Sequence, residues 1–357
     1  MSNFNIKLAS KLAHDEWKSY LKTIGNFTIY HLPELIKYYE STNKNIEDFS
    51  YFYFDNEKPI AFVPLALTVD QKKTLSYGEI PCHLPIFNAD LNSNTKKKLQ
   101  ESTYKKILLF IKEKDIDYAD FHYHPVVYEN INPDKININY KDSFSILKFF
   151  DLTYVTINTN IINLENSSKE LLSNLQKRMR NEFNNTFYKK IIFKIVNKKN
   201  TCQQIISKYL YKYKNIHFEA AKKKTRDDKS WELMLDSLLN GDSSLFTIEI
   251  NDKIISCLWC VELKNLYAIG GSQANVDDKR FLKFSLRSFL EWNVINYYKT
   301  QSYKYYEIGQ TYFYDKFYKT TSEKHKRIGL LKTKFGGDFY PRHYFRIYKE
   351  NDNFFNN

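Results

Sequence analysis

The chain has 357 residues, 43% of them hydrophobic, and its 54 basic and 41 acidic side chains leave a net charge of +13. That length suits two domains of about 100–200 residues each, and the scarcity of Gly (9) and Pro (8) excludes a low-complexity or linker-dominated chain. The charge favours anionic partners (nucleotides, coenzyme A, nucleotide-sugars, tRNA or a membrane surface) without choosing among them, and a basic solubility surface would look the same.

Residues 1–12 lack the apolar stretch of a signal peptide, and no segment approaches the ~20 apolar residues of a membrane span. A cytoplasmic protein with reduced thiols is expected, with peripheral membrane contact left open. From residue 50 the elements come in a definite order. Residues 50–54, Ser-Tyr-Phe-Tyr-Phe, read as a strand, 55–59 as a turn, and 60–67 and 74–80 as two further strands. A helix over 96–113 carries Leu99, Tyr104, Ile107, Leu108 and Ile111 on one side, and 116–123 closes the module as a strand. A fresh strand at 154–157 follows Phe149-Phe150-Asp151, so the boundary falls near residue 150.

Ser167 and Glu170 mark a helix start, and the helix continues through Leu171, Leu175 and Met179 to about Phe183. Residues 191–196 read as a strand, and 201–213 and 229–239 as helices. The first module's order then returns: strand 244–250, turn 251–253, strands 254–263 and 265–269, a helix over 282–298 and a closing strand 303–308. Two copies of one α/β module (α+β, with mixed sheets) are therefore expected, over 1–150 and 151–357, although the copies share only their pattern. Cys257 and Cys260 form a CxxC inside the apolar run 254–263, and there is no second pair to complete a zinc site, so core thiols are expected and no metal.

Several segments resemble the Fem family of peptidoglycan bridge-forming enzymes, whose members are built from two GNAT-like acyltransferase domains. Residues 171–183, Leu-Leu-Ser-Asn-Leu-Gln-Lys-Arg-Met-Arg-Asn-Glu-Phe, then Ile191–Val196, are similar to a family helix–strand passage with Arg180 at its basic position and Phe183 at its apolar one. The family keeps basic and small residues next, where this chain has Asn184-Asn185-Thr186. Lys223-Lys224-Thr225-Arg226 resembles a Thr/Arg element, and residues 329–337, Gly-Leu-Leu-Lys-Thr-Lys-Phe-Gly-Gly, resemble the family's Gly-Leu-x-x-Phe-Lys-x-x-Phe-Gly element, with Leu331 in place of the usual Phe.

The resemblance implies tandem GNAT-like domains and transfer of an acyl or aminoacyl group to an amine of a cell-envelope precursor, an amino sugar or a peptidoglycan peptide. It implies an acyl-CoA or aminoacyl-tRNA donor as co-substrate and no tightly bound cofactor. It places Lys332 in the active cleft, where its charge could stabilise an oxyanion, as a catalytic residue. His124, before Pro125, stands where several family members carry an acid and is the second catalytic candidate. Arg180 and Arg226 are candidate phosphate contacts. Glu307 and Gln310, at the end of a strand, and Tyr314, in an aromatic run, are candidate acceptor contacts.

Each of these residues also has an ordinary reading as a surface ion pair, a strand end or core packing. The long charged helical arm of some tRNA-dependent members is missing, which tilts the donor toward the thioester. The GNAT phosphate-loop pattern is only partly echoed, by Gly270-Gly271-Ser272-Gln273. A non-catalytic nucleic-acid-binding protein, or a degenerate transferase fold acting as a scaffold, remains the alternative.

Overall fold

The computed structural model describes residues 4–42, 44–78, 80–124, 126–128, 136–138, 153–263, 266–281, 283–311 and 323–349. The chain forms two compact units, Met1–Ile157 with Pro341–Asn357, and Asn158–Tyr340. The sequence suggests one cut near residue 150, which lies outside the described residues. The contacts divide the chain twice, because its last strand returns to the first unit.

The first unit begins with β1 (Asn5–Leu8), α1 (His14–Ile24), α2 (Pro33–Glu40), β2 (Ile46–Asp48), β3 (Tyr51–Asp55), β4 (Lys58–Val63), β5 (Ala66–Val69), β6 (Lys73–Tyr77), β7 (Ile80–His83) and β8 (Ile86–Phe87). It continues with α3 (Ser93–Glu113), β9 (Tyr118–Tyr123), β10 (Val126–Tyr128) and β11 (Ile136–Ile138). The strand expected over 60–67 is two strands. Proline at 64 offers no N–H to a ladder, and there the chain leaves a small sheet of order β1-β3-β4-β8 for a larger one containing β5, β6, β7 and β9. β7 and β9 run parallel, pairing Cys82 with Phe121 and His83 with His122. α1 packs its Trp17 edge-on against Phe52 and Phe62, which stack 4.5 Å apart. Each such buried ring contributes about 1.5–3 kcal/mol by leaving water.

The far end of the chain completes this unit. β18 (Asp338–Tyr348) pairs antiparallel with β9 from His343↔Tyr123 to Tyr348↔Tyr118. Arg346 locks the pairing through two bonds to Asp120, Nε to Oδ1 at 2.6 Å and Nη2 to Oδ2 at 2.7 Å, with its guanidinium 3.9 Å from the centre of the Tyr118 ring.

β12 (Thr153–Asn163) carries the chain from the first unit into the second. Next come α4 (Ser168–Asn174), α5 (Lys177–Phe183), β13 (Ile192–Val196), α6 (Gln203–Ala221), α7 (Asp228–Asn240), β14 (Ser243–Ile250), β15 (Lys253–Leu263), β16 (Tyr267–Asn275), α8 (Leu286–Thr300), β17 (Tyr305–Thr311) and α9 (Glu323–Lys332). The sheet order is β13-β14-β15-β16-β17-β12. The β14–β15 turn places Asn251 and Asp252 at φ 47° and 60°, residue types that tolerate the left-handed region well. Ser167 caps α4 with the reciprocal Glu170 contact its sequence suggests, but the single helix expected to Phe183 breaks at extended Leu175 into α4 and α5. One face of the sheet is sealed by α8 through Leu290, Val294, Ile295 and Tyr298, and by α4 and α5 through Leu171, Leu175 and Met179. Cys257 and Cys260 are fully buried on β15, and burial drives both thiols far above the usual range, which fits core packing.

Candidate active site

The second unit has a break in its sheet. β16 and β17 are parallel but pair over three positions only, Tyr267↔Tyr305 to Ile269↔Glu307. Past that point β16 stays with β15, and β17 stays with β12. The parting begins at a bulge. Trp259 faces Ser272 and Cys260 faces Gly270, so Gly271 is the extra residue on β16. A Cβ at Gly271 would lie 2.9 Å from the Trp259 ring, so only glycine fits that position. Gly270–Gln273 are therefore strand residues flanking the gap, and not a loop before a helix.

Three candidates converge on the β17 side. Lys332, the last residue of α9, is half-buried and donates from Nζ to the Gln310 carbonyl at 3.0 Å. Gly309, beside Gln310, has φ +104°, and a Cβ there would sit 2.9 Å from Lys332 Nζ. Asn160 fixes the lysine's backbone by donating Nδ2 to the carbonyls of Lys332 (2.9 Å) and Gly336 (2.8 Å). Glu307 is fully buried, with one oxygen accepting from Thr159 Oγ1 and the other from the Tyr267 hydroxyl. It props the strand junction from within.

Arg226 lies on the β16 side. It donates Nη2 to Ser272 Oγ at 2.8 Å and stacks 5.1 Å from the Trp231 ring, while the Tyr213 hydroxyl donates to the same Ser272 at 2.6 Å. Arg180 is engaged elsewhere, with Nη1 donating to the carbonyls of Leu172 (3.2 Å) and Ser173 (2.5 Å) in the last turn of α4. Tyr314 lies outside the described residues.

His124 belongs to the first unit. It is buried, with its ring 5.1 Å from Tyr30. Around Tyr30 gather His31, His83, His122 and Arg342. The rings of His83 and His122 are 3.7 Å apart, and Arg342 donates to the Tyr30 hydroxyl at 3.2 Å. Burial pushes His31 down to about 4, and pushes His83 and His122 well below the usual histidine range, helped by the neighbouring imidazoles and Arg342. These histidines are neutral at physiological pH.

Sequence reasoning missed a buried carboxyl next to the gap. Glu291 of α8 accepts from the Tyr306 hydroxyl, and its Oε1 lies 3.6 Å from where a Gly270 Cβ would be. Burial raises its pKa, and the charges of Arg287 and Lys332 oppose that rise. The signal was legible, since Glu291 stands three residues before Val294 and seven before Tyr298 on the apolar stripe of its helix. A charged residue there is buried for a reason.

No protein-family model and no curated protein matches the chain. Solved structures match across nearly its whole length. FemX aligns with a TM-score of 0.62 at 13% identity, covering 96% of this chain and 97% of FemX. A tandem GNAT protein from the clavulanic acid biosynthesis pathway aligns at 0.53 and 9% identity, over 97% of this chain and 99% of that one. The C-terminal domain of a putative lysylphosphatidylglycerol synthetase from Agrobacterium fabrum aligns at 0.57 and 10%, over 94% and 92%. The chain has the Fem-like tandem GNAT fold.

α8 follows β16 after ten intervening residues, 276–285, and a helix start is where backbone N–H groups can hold a phosphate. Here Glu182 of α5 takes the position. Its Oε1 accepts from the Ser285 amide at 2.8 Å, and its Oε2 from the Ser285 hydroxyl at 3.0 Å. Burial alone would raise the Glu182 pKa, but these bonds and one from Tyr188 outweigh it, so the group is held below the usual carboxylate range and is anionic.

Proposed function

We propose that the protein is an acyl- or aminoacyl-transferase acting on an amine of a cell-envelope precursor, with its chemistry at the β16–β17 gap. The observation that carries this reading is the seating of Lys332 against Gly309 and Gln310 where the two parallel strands part. The Fem-like tandem GNAT fold supports the choice of reaction, the likeness to FemX and to a lysylphosphatidylglycerol synthetase domain supports an acceptor in the cell envelope, and the choice of an amine rests on the resemblance to the Fem family alone.

In this reading the acceptor nitrogen attacks the donor carbonyl carbon. Lys332 faces the oxygen that gains charge, and in a dry site such a contact contributes several kcal/mol to the transition state. The C–S or C–O bond to the donor then breaks, and the leaving atom takes up the proton that the amine gives up. The amine's own proton passes toward Glu291, whose raised pKa suits it as the acceptor. No covalent enzyme intermediate is needed.

The donor is an acyl thioester or an aminoacyl-tRNA. The Glu182 carboxylate at the start of α8 repels a phosphate there, so it favours a donor not anchored by a pyrophosphate at that helix, against the tilt toward a thioester that the missing arm suggests. Incubating the protein with acyl-CoAs and charged tRNAs plus amino-sugar and peptide acceptors, read by mass spectrometry, identifies the pair. Lys332→Ala should lower transfer at least tenfold, a loss of roughly 1.4 kcal/mol or more. A folded variant with an unchanged rate removes Lys332 from the mechanism.

A further inference from the structure

The second unit holds a cavity of about 370 Å³ at the other end of its strands, within the usual range of small-molecule sites of about 300–1,000 Å³. Its walls come from the end of β13, the α7–β14 junction, the end of β15 and the C-terminal turn of α8. On β16, the partner of Glu262 is Ala268, four residues before Ser272, or about 13 Å along a strand. The cavity is therefore separate from the gap that holds Lys332.

Nearly every lining side chain carries a hydrogen-bonding group. Asn197, Asn240 and Gln301 supply carboxamides, each able to donate and to accept. Tyr297 and Tyr303 supply phenols with flat ring faces, and Glu262 supplies a half-buried carboxyl. Part of this lining is pre-arranged. Glu262 accepts from the Tyr298 hydroxyl at 2.8 Å and the Tyr303 hydroxyl at 2.9 Å, Asn197 donates to Ser244 Oγ at 2.9 Å, and Lys199 holds Gln301 Oε1 at 2.9 Å.

An apolar ligand would take water from the hydrogen-bonding capacity that these internal contacts leave over, at about 1–3 kcal/mol for each polar group so stripped. A simple anion meets the Glu262 carboxyl, and a simple cation meets Lys198 and Lys199, which are exposed at the rim. A neutral ring carrying several hydroxyls satisfies all of it. Each hydroxyl donates and accepts against a carboxamide, the carboxyl accepts, and the C–H face of the ring lies on a tyrosine. We propose that this cavity is a saccharide-binding site, sized for one or two sugar rings and distinct from the transfer site. The lining alone carries this assignment, which does not depend on the transferase reading.

The test uses the full chain and saturation-transfer NMR with titration calorimetry. The probes are glucose and N-acetylglucosamine, with lysine and inorganic phosphate as charged controls. Asn240→Leu and Gln301→Leu change the wall at an exposed and a partly exposed position where the fold tolerates an apolar side chain, and thermal unfolding verifies this. A sugar signal at millimolar concentration, weakened at least tenfold in both variants, supports the proposal. No sugar signal, a sugar signal indifferent to both variants, or binding of only lysine or phosphate overturns it. Loss of transfer activity in Lys332→Ala with sugar binding intact separates this site from the reaction, and failure of the transferase reading leaves the binding result standing.

Discussion

Replacing Gly309 with Ala tests the site without touching a charged group. At φ +104° an alanine adopts a strained backbone, costing about 1–3 kcal/mol. In a unit of this size each kcal/mol lowers the melting temperature by about 2–4 °C, so a fall of about 2–12 °C is expected. The new methyl also stands 2.9 Å from Lys332 Nζ, where ordinary contact begins at 3.4 Å, so the ammonium must move by half an ångström or more and loosen its 3.0 Å bond to Gln310. A hydrogen bond to a charged group is worth about 1.5–3 kcal/mol, and a displacement near 1 Å can cost about a hundredfold in rate. Gly309→Ala should therefore reduce kcat for amine acylation about 10- to 100-fold with KM little changed. Lys332→Met should do at least as much, and the double variant should be no worse than Lys332→Met alone, because both act on one contact. Steady-state kinetics by mass spectrometry at a temperature where all three are folded decides it. Wild-type kcat in Gly309→Ala, or additive losses in the double variant, refutes the placement of Lys332.

The histidines around Tyr30 make the first unit acid-sensitive. The folded pKa values of His31, His83 and His122 are depressed, so the unfolded chain takes up protons first as the pH falls below about 6.5, and stability is lost from there down to about pH 4, where His31 titrates. Each contributes up to about 1.4 kcal/mol per pH unit in that window, and a melting temperature that is flat from pH 7 to 5 contradicts the burial described. Glu291→Gln should raise the melting temperature at pH 8, since it removes a buried group whose raised pKa penalises ionisation, and should slow transfer. An unaltered pH–rate profile excludes Glu291 as the proton acceptor. Arg346→Ala removes both guanidinium bonds to the buried Asp120 carboxylate and should destabilise by about 3–5 kcal/mol in denaturant unfolding, whereas a change below about 1 kcal/mol would show the pair to be incidental. Gly337→Ala places a methyl 2.5 Å from Asn160 Oδ1 and 2.8 Å from the Ile161 carbonyl at φ +87°, so little soluble folded protein is expected on expression.

The repeated element order, and hence the tandem fold, was legible because strands and helices announce themselves by period and by turn residues such as Asn251-Asp252. Lys332 was singled out only through a short motif, and its neighbours in sequence say nothing of its contact with Gln310. The gap between β16 and β17 was not legible: β16 runs to Asn275, six residues past the end of the strand expected at 265–269, and a parting of parallel strands depends on pairing between residues 38 positions apart. Glu307 and Arg180 show the converse, with charged residues in suggestive places spent on internal contacts that no one-dimensional pattern reveals.

The return of β18 to the first unit also sets the order of assembly. That unit lacks the strand beside β9 until residues 341–348 exist, and 183 residues of the second unit, 158–340, are made in between. At about 5–20 residues per second the ribosome needs roughly 9–37 s for that stretch. During that interval the Asp120 edge of the first unit waits unpaired, and the second unit is free to fold before the first is finished. A chain released early, short of Arg346, would expose that edge permanently and present it to chaperones or to other copies of itself.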